Sequence, residues 1–149
     1  MDSGGAFDAD DNRRYLTNLI GGFPDHPLIV EFRHTSWQVE AVHRGMGERG
    51  VTCCACDMPE LGKLPRFTPV LTGSNAYTRF HGRNARNWYG ANARDRHDYL
   101  HSDGGLATHT PVPKGIPRKS QTLRVFFNNH AKGNAAMNAQ KMMVLMAEV

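Results

Sequence analysis

The chain has 149 residues, enough for one domain with a real core; 40% hydrophobic and 21% charged residues make it globular rather than disordered material. A formal net charge of +4 suits an anionic partner, although solubility alone would also account for it. No apolar run approaches the roughly 20 residues of a membrane span, and the first residues lack the basic-then-apolar start of a signal peptide.

Residues 1–9 read as a loose, glycine-containing tail, and 10–149 as the folded part. Asp10 to Ile20 can form a helix with Tyr15, Leu16, Leu19 and Ile20 as its apolar stripe, stopped by Gly21 and Gly22. Leu28 to Arg33 reads as a strand, apolar at first and polar at its end, where Glu31 and Arg33 share one face. Thr35 and Gln38 fit a capping box, predicting a helix from about Ser36 to Arg49 that ends at Gly50.

Val51 to Cys56 is a second strand, closed by Asp57. Its cysteines, Cys53, Cys54 and Cys56, crowd together and cannot staple distant parts of the chain, so a reducing, cytoplasmic setting is expected. Pro59, Pro65 and Pro69 make residues 58–74 a loop. Residues 75–81 form a third strand, with Tyr77, Arg79 and His81 on one face and Ala76, Thr78 and Phe80 on the other. From Asn84 to Gln121 the glycines and prolines argue against a long helix. Thr122 to Phe127 is a fourth strand. A last helix opens at Gly133, with Asn134 as N-cap and Ala135, Ala139, Met142, Met143 and Met146 on one face.

Strands separated by crossovers imply parallel pairing and an α/β fold, in which ligands bind at the carboxyl ends of the strands. All four strands end in polar groups: Glu31, Arg33 and His34; Asp57; Arg79, His81 and Arg83; Asn128, Asn129 and His130. A shared site follows, in which His81 is the general-base candidate, with Glu31 and Asp57 as acidic partners. Arg33, Arg79 and Arg83 are forks for phosphate or carboxylate. Trp88, Asn128, Asn129 and His130 are further ligand contacts. Each residue has a plainer reading: Glu31 and Arg33 as a buried ion pair, Arg79 as a register pin to Glu31 or Asp57, Asp57 as a turn former, the asparagines as loop caps. Glu31, Asp57, His81 and His130 match no metal-binding spacing, no zinc pattern includes the cysteines, and no cofactor is assigned.

The runs Val30 to Trp37, Asp57 to Pro59, Tyr77 to Arg83 with Trp88, Asp98 to Leu100, and Phe126 to His130 with Asn138 and Ala139 occur in this order. Together they resemble the YecE-like family, also called domain of unknown function 72, from about residue 10 onward. The resemblance implies a TIM-type β/α barrel and no established activity. Likeness to the endonuclease IV type of barrel makes nucleic acid a second candidate ligand, with Arg83, Arg86, Arg94 and Arg96 on phosphates and Trp88 or Tyr89 on bases. A full barrel needs eight strands. Four are expected here, so the chain reads as a partial barrel, the C-terminal half, whose open sheet edges favour self-association. Small-molecule binding, acid-base or hydrolytic chemistry, nucleic-acid binding and a non-catalytic remnant are the functional readings.

Overall fold

The computed structural model describes residues 9–90, 92–108 and 122–147. Helix α1 (Ala9–Gly21) leads to β1 (Ile29–Val30), a 3₁₀ turn (Thr35–Trp37) and α2 (Glu40–Glu48). Strands β2 (Thr52–Asp57) and β3 (Ala76–Phe80) follow, then short helices α3 (Ala93–Arg96) and α4 (Asp103–Ala107), β4 (Leu123–Phe127) and α5 (Asn134–Ala147). The four strands form one sheet in chain order, each parallel to the next, which is an α/β fold with flanking helices and an unclosed sheet.

Register divides the sheet into two faces. Cys54 pairs with Tyr77, Cys56 with Arg79, and Arg79 with Phe126, so these side chains project to one side. Ala55, Thr78 and Val125 project to the other, as do Phe80 and Phe127. That second face is the helix-covered core. Phe80 and Leu106 are fully buried there, with Met142 of α5 against them, and Phe80 stacks on Phe127 at 4.8 Å. Each such side chain contributes about 2–3 kcal/mol by leaving water. A neighbouring cluster joins Val42 and Met46 of α2 to Val51, with Leu16 and Ile20 of α1 packed on it. The first face is covered only in part: Cys56 is buried against Met58 and Trp88, while Ile29 and Phe126 are exposed and Tyr77 stacks on Phe126.

Several local expectations change. The paired part of β1 ends at Val30 rather than Arg33, because Phe32 turns to stack on Trp37 at 4.7 Å. Gln38 does not close a capping box. Its amide donates to the Arg66 carbonyl (2.6 Å) and accepts from the Arg66 N–H (2.9 Å), clamping the proline-rich loop. The 3₁₀ turn is capped instead by His34, whose Nδ1 accepts from the Ser36 N–H, and α2 starts only at Glu40. Asn134 has helical dihedrals and is no cap; Lys132 and Gly133, both with positive φ, set the direction of α5. Met143 of α5 and Tyr15 and Leu19 of α1 are exposed rather than core. Despite Gly104 and Gly105, α4 forms one turn because Ser102 caps it by accepting from the Gly105 N–H. Residues 1–8 of the expected tail, and Pro111, Pro113 and Pro117, lie outside the described residues. No helix among the described residues is long and apolar enough to cross a membrane.

One buried amide joins α5 to the loops. The Asn138 side chain accepts from the His101 N–H (3.1 Å) and from the Asn129 amide (2.8 Å), and donates to the His101 carbonyl (3.0 Å). Asn138→Ala strands three buried groups and is expected to cost about 2–3 kcal/mol. A lowered urea midpoint with unchanged slope is the readout. Asn138→Asp, which keeps the acceptors and loses the donor, should fall below wild type as well.

Candidate functional site

At the carboxyl ends of the strands the open face becomes polar. Glu31 emerges just past β1 and reaches across β2 toward β3. Small residues make this possible, since the C-terminal half of β2 presents Cys54 and Cys56 on that face. Arg33 Nε lies 2.5 Å from Glu31 Oε1, Arg79 Nη1 lies 2.7 Å from Oε2, and His81 Nε2 lies 3.2 Å from Oε1. His81 is buried, 1% exposed, while the two guanidiniums keep contact with solvent. On the other side of the ring, Asn128 places its amide 3.2 Å from His81 Nδ1. Donation by that amide requires an unprotonated Nδ1, which leaves the Nε2 proton directed at Glu31.

Burial alone would raise the Glu31 carboxyl. The hydrogen bond from His81 and the charges of His81, Arg33 and Arg79 outweigh it and hold the group at about 2. A depressed carboxyl stabilises the fold above the ordinary carboxylate range, and that contribution fades as pH falls toward 2. Burial pushes His81 down, yet hydrogen bonds with Cys56 and Glu31 leave it raised. Its contribution is therefore complete below the ordinary histidine value and is lost as pH climbs through the raised one. One carboxylate thus faces two guanidiniums and an imidazole, so the cluster carries surplus positive charge.

Asp57 takes no part in this cluster. It follows Cys56 on β2 and so points to the opposite face. There it is 1% exposed and bound to Arg83, whose Nη2 lies 2.6 Å and Nε 2.7 Å from Oδ1, with His101 Nε2 at 3.7 Å from Oδ2. This pair walls a polar pocket of about 380 Å³ bounded by Met58, Pro59, Arg66 and Phe67. A second, mostly apolar groove between α1 and α2, about 170 Å³, is lined by different residues, among them Leu16, Ile20, Val42 and Met46.

The remaining candidates divide. Asn129 is wholly buried and donates to the Tyr99 carbonyl (2.7 Å) as well as to Asn138, so it braces the loop. Trp88 is 5% exposed, packed in a core cluster with Cys56 and Met58, and edge-on to His97. His130 is exposed and hydrogen-bonds the Asn128 carbonyl through Nδ1. The fold adds His97 to these residues. It sits at the end of α3, donates to the His81 carbonyl at 2.9 Å, and has its ring 5.9 Å from that of His81 and 5.8 Å from that of His130. Burial, with the charges of His81, His130 and Arg96, lowers its basicity against the help of that hydrogen bond. Nothing in the run Arg94 to Tyr99 marks it; only the folding of the loop over His81 does. Gly82 permits that close approach, with φ at +88° and Tyr99 Cβ only 2.9 Å from where a Cβ would stand.

Glu31, Cys56 and His81 also bring one potential metal-ligating atom each within 4.8 Å of one another. Asp57 and His130 do not join them among the described residues. Glu31→Gln removes the charge that neutralises Arg33 and Arg79 and should cost about 2 kcal/mol of stability, discounted for the exposure of the arginines. Thermal melting at low ionic strength should show the loss, and added sulfate should recover part of it by supplying a replacement anion.

Residues 5–149 match the family described as Protein of unknown function DUF72. The chain is 29% identical over 147 residues to the UPF0759 protein YunF of Bacillus subtilis, an alignment covering 91% of this chain and 52% of that protein. The crystal structure of a DUF72 family protein from Thermotoga maritima superposes with a TM-score of 0.87 at 37% identity, covering 94% of this chain and 53% of that one. One from Enterococcus faecalis gives 0.83 at 28% identity, covering 97% and 56%. The chain spans about half the length of the relatives it matches. Parallel order, strand-end polar groups and family match agree, and the chain belongs to the DUF72 family of proteins of unknown function.

Proposed function

We propose that the strand ends bind a small anionic ligand, with phosphorylated metabolites the best-fitting class. The surplus positive charge around Glu31 carries this reading, because Arg33 and Arg79 each keep donors beyond the one spent on the carboxylate. In this reading the guanidiniums hold the anion, Glu31 fixes their aim, and His81, steadied by Asn128, moves a proton. Hydrolytic or acid-base chemistry is the extension. Asp57 and Arg83 would then set the loop beside the site rather than act on the ligand. Inorganic phosphate should raise the melting temperature of the wild type, and Arg79→Gln should abolish that shift. A shift retained in Arg79→Gln overturns the reading.

Nucleic acid is the competing ligand. Arg86, Arg94 and Tyr89 are exposed and available to it, whereas Arg83 is held by Asp57 and Trp88 is buried. Oligonucleotide binding that weakens steeply with salt would favour this alternative over the small anion.

We further infer that the open face self-associates in a reducing, cytoplasmic compartment, approximating the closed barrel that eight strands would make. Ile29 and Phe126 are exposed on that face, and β1 and β4 are edge strands. Light scattering at micromolar concentration should report a dimer, and Phe126→Lys should return a monomer. A sharply melting wild-type monomer contradicts this.

A further inference from the structure

Parallel strands are usually joined by a helix, but the crossover from β2 to β3, residues 58–75, contains none. Its prolines keep it irregular, and neighbouring residues hold it in place: Gln38 binds both backbone groups of Arg66, and the Thr35 N–H donates to the Lys63 carbonyl at 2.8 Å. This loop encloses most of the polar pocket of about 380 Å³, a volume within the usual range for small-molecule sites. None of Glu31, Arg33, Arg79 and His81 lines it. Its charges are balanced, with Asp57 and Glu60 against Arg66 and Arg83. Arg83 directs Nε and Nη2 at the buried Asp57, and its Nη1 makes no hydrogen bond among the described residues. Glu60 and Arg66 are exposed and make no ion pair among the described residues. Leu61, Leu64 and Phe67, all half-buried, supply apolar wall.

We propose that this pocket binds a small zwitterion with an apolar side chain, the chemistry of a large apolar α-amino acid. Asp57 and Arg83 largely cancel one another, which leaves Glu60 and Arg66 as the open charges. A lone anion would meet the Glu60 carboxylate in the same small volume, and a lone cation the Arg66 guanidinium. A ligand carrying both signs finds a partner for each. Its carboxylate takes the Arg66 guanidinium and Arg83 Nη1, the charge-assisted pairing that suits arginine. Its ammonium takes Glu60. Its side chain lies on Leu61, Leu64 and Phe67, where removal from water adds to the affinity. Because the loop is already clamped through Arg66 and Lys63, little ordering cost opposes binding.

The test uses the full chain, isotope-labelled and titrated with L-phenylalanine while its amide resonances are followed. The expected result is saturation at one equivalent, with the largest shifts at residues 60–67 and at Arg83. Glycine lacks the apolar side chain, hydrocinnamate the ammonium and phenethylamine the carboxylate. Each should bind about tenfold more weakly or worse. Glu60→Gln should erase the preference for L-phenylalanine over hydrocinnamate, and Arg66→Gln should weaken L-phenylalanine by about tenfold. Both positions are exposed, so neither change threatens the fold. Arg79→Gln, which removes the phosphate response of the strand ends, should leave L-phenylalanine binding unchanged. Absence of saturable binding, shifts lying away from the loop, equal binding of any of the three analogues, or unaltered binding in both Glu60→Gln and Arg66→Gln would overturn the assignment.

Discussion

The carboxylate of Glu31 is the constraint on which the strand ends depend. It is mostly buried and would cost several kcal/mol as an unpaired charge. Arg33, Arg79 and His81 meet that cost together, and in doing so tie the end of β1 to β3 across the intervening strand. The bridge is possible because β2 carries small side chains on that face. A leucine at either cysteine position would fill the space through which Glu31 reaches. The thiols, the ion cluster and the order of strands are thus parts of one arrangement.

Much of this was legible beforehand. Strands that begin apolar and end polar betray a sheet whose tips face a ligand, and Arg79 and His81, two apart, had to share a face. The same alternation places Asp57 opposite Cys56, so its separation from Glu31 was readable in principle; grouping all strand tips into one site overlooked it. Gln38 departs from its local pattern for a different reason. Its spacing from Thr35 suits a cap, but the bonds it makes are to residues 28 and 30 positions away, which no local pattern reports. His97 was invisible on the same ground. Met143 has the right period for a buried face, yet periodicity says where a side chain points along a helix, not how wide the covered stripe is.

The unclosed sheet gives the chain two dissimilar surfaces. Beneath the helices, Phe80, Phe127, Leu106 and Met142 make an ordinary apolar core. On the other side, stacked Tyr77 and Phe126 stand next to paired charges. In the longer relatives the matched region is only about half of the protein.

The segment running from His97 to His101, just past α3, owes its shape to something other than its own secondary structure. A single carboxamide on α5 engages both the N–H and the carbonyl of His101, as a neighbouring strand would. The helix thereby acts as a template for extended backbone it does not itself contain. Stiffness passes from a regular element into an irregular one through two bonds, and His97, four residues upstream, is held by its own bond to the His81 carbonyl. A slip of α5 along its axis would therefore disturb the loop as well as the sheet on which Met142 packs.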